Sequence, residues 1–179
     1  RVNIIIHYAA YIKKEGRDIG KRGTGPGRKV DYVFYSDSGE FIEKISEYFS
    51  KMEDEDINHS DITMVSQKNF ADNSVAQKIV ENGYNLKIMT KRNSIEYPFN
   101  NISYTTIRNF KGMESFIVVI DLGEFSPDEF DKSPLYVGIT RAVGHLILGC
   151  PNTMKKEIGT IQLKHLRAFD NGGKHEWKR

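Results

Sequence analysis

A single cysteine, Cys150, stands in 179 residues, so no disulfide can form within the chain, and a reducing, cytoplasmic setting is the expectation. Long apolar runs are also lacking. The longest, Phe116 to Ile120, has the length of a strand, far short of the roughly 18 residues needed to span a bilayer; no membrane partner is expected. No signal peptide is visible and the sequence opens on Arg1 rather than Met, so the chain is expected to be a piece of a longer protein. An excess of one charge is missing as well. The 26 Lys and Arg against 24 Asp and Glu leave a net charge of +2, too small to mark a nucleic-acid binder by electrostatics alone. With 39 % hydrophobic residues, a chain of this length has enough apolar surface for one domain with a substantial core.

Several self-contained chemistries are absent too. No Gly-x-x-x-x-Gly-Lys-Ser/Thr phosphate loop occurs. The Gly-rich stretch Gly20 to Lys29 resembles one only superficially: Pro26 removes an amide donor, and the segment leads from a helix into a strand, the reverse of the required order. It reads as a flexible connector whose basic residues can touch a nucleic-acid backbone. The five histidines fall into no His-Glu-x-x-His pattern, no Cys-x-x-Cys accompanies them, and no Gly-x-Ser-x-Gly elbow is present. Glu53-Asp54-Glu55-Asp56 reads as a solvated turn, because its spacing does not build an oxygen cage; no metal ligands are expected. Cys150, at the end of an apolar strand, reads as a buried structural thiol.

What is present is alternation. Asn3 to Glu15 carries apolar residues at helical spacing, and Lys29 to Tyr35 reads as a strand. Asp37-Ser38-Gly39-Glu40 offers a helix N-cap with a carboxylate three residues on. Phe41, Ile42, Ile45, Tyr48, Phe49 and Met52 then line one helical face. Asp61 to Ser66 reads as a strand. Asp72 to Asn82 reads as a helix with Val75, Ala76, Ile79 and Val80 inward, stopped by Gly83. Strands follow at Leu86 to Thr90, Ile102 to Thr106 and Phe116 to Leu122, the last apolar without alternation, as a strand covered on both faces should be. A short helix over Pro134 to Ala142, a strand over His145 to Cys150 and a closing helix over Thr153 to Phe169 complete the pattern. The aromatics Tyr32, Phe34, Phe41, Tyr48 and Phe49 read as core. The fold class implied is α/β, three layers around a mostly parallel sheet.

Two segments carry chemistry. Thr105-Thr106-Ile107-Arg108-Asn109-Phe110-Lys111-Gly112-Met113-Glu114 runs into the Phe116 strand, and Leu135-Tyr136-Val137-Gly138-Ile139-Thr140-Arg141-Ala142 runs into the Leu146 strand. Together, in this order, they resemble motifs V and VI of the UvrD-like superfamily-one DNA helicases, which read roughly Thr-x-His-x-x-Lys-Gly-x-Glu and Tyr-Val-Ala/Gly-x-Thr-Arg-Ala. Arg108 stands where that family usually has His, so the role of that His in coupling ATP to DNA does not carry over.

The resemblance implies a C-terminal RecA-like (P-loop NTPase-type) domain over residues 1–170 that lacks its own phosphate loop, with 171–179 as a tail. It implies an ATP-dependent DNA helicase activity exerted only as part of the longer protein, in a DNA-repair setting. ATP and Mg²⁺ would be held mainly by an N-terminal RecA-like domain of the same protein. Arg141 is then the catalytic arginine finger, a permanently charged fork of donors suited to a transferring phosphoryl group. Glu114 would accept from the nucleotide's ribose hydroxyl, Gly112 would allow close backbone approach, and Thr105, Thr106, Arg108 and Lys111 would meet the backbone of single-stranded DNA. Arg1, ahead of an apolar helix, matches the nucleotide-contacting Arg of motif IV in one letter; a chance terminal arginine is the alternative. The rival function is a non-catalytic, helicase-derived nucleic-acid or protein binding module.

Overall fold

A computed structural model describes residues 30–125, 133–156 and 158–159. The expected helix over Asn3 to Glu15, the Gly20 to Lys29 connector, Arg1, the tail and most of the closing helix lie outside the described residues.

Nine strands and α-helices lie along this span. In chain order they are β1 (Asp31–Tyr35), α1 (Ser38–Asp54), β2 (Ile62–Ser66), α2 (Ser74–Glu81), β3 (Leu86–Ile88), β4 (Ile102–Thr106), β5 (Ser115–Asp121), α3 (Ser133–Ile139) and β6 (Ala142–Pro151). The strands form one six-stranded sheet in the order β1-β6-β5-β2-β4-β3. Every pairing in it is parallel, so the sheet is wholly rather than mostly parallel.

The chain moves outward across the sheet and then returns. The two outward steps, β1 to β2 and β2 to β3, run through α1 and α2, and both helices cover one face. Their inward residues Phe41, Ile42, Ile45, Phe49, Met52, Ala76 and Ile79 meet Ile62, Ile117, Val119 and Ile147 from the strands. The three return steps cover the other face, where Phe99, Ile107, Phe110, Leu135, Ile139 and Ile158 meet Val118, Ile120, Leu146 and Leu148. Crossovers of a single hand require this division of outward and return connections between the faces. β5 alternates between the two cores, which explains its unbroken apolar run. The α/β three-layer expectation is thus borne out.

Local chemistry sets the boundaries. Asp37 caps α1 by accepting from the Glu40 amide at 3.0 Å, while the Glu40 carboxylate reaches back to the Ser36 amide at 2.6 Å. Gly83, at φ +98°, follows α2 in the left-handed region, where glycine costs least. α2 is shorter than expected, and Val80 is a correction: it is 40 % exposed, whereas Ala76 and Ile79 are fully buried. A helix turns 100° per residue, so Val80 has rotated off the face that Ile79 occupies. Phe116 is also half exposed, at the mouth of an otherwise covered strand. Cys150 is buried, and burial pushes its thiol pKa up to about 12, consistent with a structural role.

Candidate nucleotide and nucleic-acid edges

The two motif segments occupy different edges of the sheet. β4 ends at Thr106, beside Ser66 at the end of β2. The Ile107 amide donates to the Ser66 carbonyl at 2.9 Å, and a single helical turn follows, with the Asn109 and Phe110 amides both donating to the Thr106 carbonyl at 3.0 Å. Ile107 and Phe110 are buried and pin the segment to the sheet face, which leaves Arg108 and Lys111 exposed. Gly112 adopts φ +89°, a backbone state that a side chain would strain, and turns the chain toward the start of β5. The segment therefore crosses the sheet from its carboxyl edge to its amino edge in eight residues, 107–114.

Thr106 and Arg108 remain at the carboxyl edge. Thr106 is half-buried, and its hydroxyl accepts from the Asn109 amide at 3.3 Å. Thr105, expected to meet nucleic acid, is 1 % exposed, with its hydroxyl 3.4 Å from the Thr106 carbonyl. Both faces of the sheet are covered, so Thr105 inside β4 is sealed by the layer on its side, whereas Thr106 ends the strand and reaches the edge.

Glu114 and Arg141 meet at the amino edge. Glu114 immediately precedes β5 and Arg141 immediately precedes β6; Ser115 and Ala142 are register partners, and the Ser115 amide donates to the Arg141 carbonyl at 3.0 Å. The two side chains therefore spring from adjacent strand starts, about 5 Å apart by ordinary sheet spacing. The Glu114 side chain is exposed. Arg141 is half-buried and folds back on the end of α3, where its Nε donates to the Val137 carbonyl at 3.2 Å. This is a helix-capping contact, and it consumes one donor of five. Among the described residues the two terminal guanidinium nitrogens make no hydrogen bond or ion pair, so the paired end of the fork is left for an anion. Thr140 secures the same turn by donating to the carbonyls of Tyr136 at 3.0 Å or Val137 at 3.1 Å.

Two polar networks join residues far apart in the sequence. At the amino edge, Thr63, Tyr97 and Ser115 are joined by hydroxyl hydrogen bonds. At the carboxyl edge, the Glu124 carboxylate accepts from the Ser66 hydroxyl at 2.6 Å, the Gln67 amide at 2.9 Å and Asn73 Nδ2 at 2.6 Å. Asp121 accepts there from the Tyr35 hydroxyl at 2.6 Å and the Gly123 amide at 2.8 Å. Thr63 and Ser115 at fully buried strand positions were the available signal, since buried hydroxyls need partners; the partners themselves lie tens of residues away. A concavity of about 720 Å³ between α1 and α2, lined by Glu43, Glu47, Asp54, Lys78 and Glu81 among others, lies on the face opposite the 107–114 segment and is not part of either edge. No group of three or more His, Cys, Asp or Glu side chains among the described residues is arranged to hold a metal ion.

No protein-family model matches the sequence, and no curated protein matches it. Solved structures do. The C-terminal domain of a possible DNA helicase from Lactobacillus plantarum WCFS1 superposes with a TM-score of 0.61 at 15 % identity, covering 83 % of this chain and 84 % of that one. An Arterivirus nonstructural protein 10 (helicase), solved with DNA, gives a TM-score of 0.43 at 16 % identity, covering 83 % of this chain and 31 % of that one. At such identities the likeness is one of fold: the RecA-like arrangement of a helicase C-terminal domain.

Proposed function

We propose that the chain is the C-terminal motor domain of an ATP-dependent, UvrD-like superfamily-one DNA helicase or translocase. Arg141 supplies the arginine finger and Glu114 the acceptor for the nucleotide's ribose, with Gly112 shaping the turn between. ATP and Mg²⁺ are held mainly by an N-terminal RecA-like domain of the same protein. Thr106, Arg108 and Lys111 grip the backbone of single-stranded DNA through phosphate contacts without reading sequence. A cytoplasmic protein working in DNA repair fits this reading.

One observation carries it: Glu114 and Arg141 open adjacent strands at one edge, and Arg141 spends only Nε on its own helix. A surface arginine serving merely as a cap has no need of a carboxylate placed beside it. Positive charge held in a fixed position against a developing phosphoryl charge is the main catalytic device in this chemistry. The test is the steady-state ATPase of the intact protein, with and without single-stranded DNA, beside Arg141→Ala. Loss of the finger should lower kcat by roughly 10³-fold or more while KM changes little. A variant retaining kcat within a few-fold would remove Arg141 from the mechanism.

A further inference from the structure

We infer that Tyr97 is a positioning residue for nucleotide recognition, acting through Glu114; the inference rests on the reading of Glu114 as the ribose acceptor. The Tyr97 hydroxyl donates to the Glu114 carbonyl at 3.1 Å. The same hydroxyl lies 3.1 Å from Thr63 Oγ1, whose single proton goes either to Tyr97 or to Ser115 Oγ at 3.0 Å. Ser115 in turn donates from its hydroxyl to the Asp61 or Ile117 carbonyl, each at 3.0 Å, and from its amide to the Arg141 carbonyl at 3.0 Å. The Tyr97 hydroxyl thus holds the peptide that follows the Glu114 side chain, and the Ser115 amide of that same peptide is bonded to the residue proposed as the finger.

Glu114 needs such a tie. It lies two residues after Gly112, which has no side chain to restrict its backbone, and it precedes the register shift that separates Ser115 from Ile117. Its side chain is exposed, with no partner of its own among the described residues to fix its direction. Tyr97 can serve as a fixed post because its ring is wedged edge-on against Phe99 and Phe110, each with centroids 6.1 Å away. Thr63 and Ser115 are buried, so their protons have no water to go to and the network is held together. A carboxylate aimed at a ribose from a wandering backbone would discriminate poorly; one whose following peptide is fixed is preorganised.

The experiment uses the intact protein and three substrates: ATP, 2′-deoxy-ATP and 3′-deoxy-ATP. Tyr97→Phe removes one hydroxyl and keeps the ring; Thr63→Val breaks the network from its buried end without changing volume. Both should raise KM for ATP by roughly three- to ten-fold, the range for one lost hydrogen bond, and shrink the preference for ATP over the discriminated deoxy analogue by a similar factor, with kcat within about twofold. A fall in kcat without a change in KM or in ribose preference overturns the inference. So does an unchanged preference in both variants when Glu114→Ala abolishes it. If Glu114→Ala itself leaves the preference intact, the ribose role of Glu114 is wrong and the inference falls with it. Thermal melting of each variant separates these outcomes from general loss of fold.

Discussion

Asp121 and Glu124 sit three residues apart at the carboxyl edge, each hydrogen-bonded and half-buried. Burial is the larger influence in both and holds their pKa values above the ordinary carboxylate range, against the lowering effect of Tyr35 and Gly123 on one and of Ser66 and Gln67 on the other. A folded-state pKa above the unfolded one means that the folded chain holds its protons longer. Unfolding free energy therefore falls as pH rises from the usual carboxylate range through the raised values. Asp121→Asn tests this cleanly, because both bonds to Asp121 end on one oxygen, Oδ1, which an amide can retain. Urea unfolding across about pH 4 to 8 should show a shallower decline for the variant than for the parent chain. Parallel pH profiles would show that Asp121 does not titrate with folding.

At the scale of elements, α2 shows how far local rules reach. Its N-cap is legible as a class, since Asn and Asp both lead the ranking and Asp72-Asn73 offers either. The structure selects Asn73, whose Oδ1 accepts from the Ala76 amide at 3.1 Å while the two protons of Nδ2 are shared among Ser66, Tyr104 and Glu124 at 3.1, 3.0 and 2.6 Å. Capping propensity alone predicts that Asn73→Asp is neutral. The contacts predict a loss of roughly 1–3 kcal/mol, because the new carboxylate faces Glu124 with no donor between them. Urea denaturation near neutral pH decides, and a change below a few tenths of a kcal/mol would leave the network without energetic weight. α1 is the contrary case: its cap, apolar stripe and end are all local, and the sequence alone shows them. Val80 marks where periodicity blurs, since eight residues give too little length to separate the inner face from its flank.

For the whole molecule, the alternation of strands and helices and the doubly covered β5 are visible in the sequence, and the class of fold follows from them. Sheet order does not follow. β1 lies against β6 more than a hundred residues later, and that pairing is fixed by which faces the crossovers cover, a property of the assembled layers. The candidate site is legible to a similar degree. Arg141 and Glu114 stand out through their motifs, whereas the burial of Thr105 and the place of Tyr97 depend on contacts between distant segments. The sequence contains no phosphate loop, which yields a prediction at this scale: the chain purified alone should release no phosphate from ATP with Mg²⁺ above background. Magnesium-dependent hydrolysis by the isolated chain that disappears in Arg141→Ala would mean that it carries a complete site.

The placement of the two candidate surfaces on opposite edges of one parallel sheet has a mechanical consequence. Strands of five to seven residues separate those edges by roughly 16–23 Å at ordinary strand rise, and close-packed layers on both faces resist shear. The sheet then moves as one body. On the proposed reading, a tilt about an axis midway between the edges that brings Arg141 toward a nucleotide swings Thr106 and Arg108 the other way by a comparable distance, so a closing stroke at one rim is delivered at the other as travel of opposite sign.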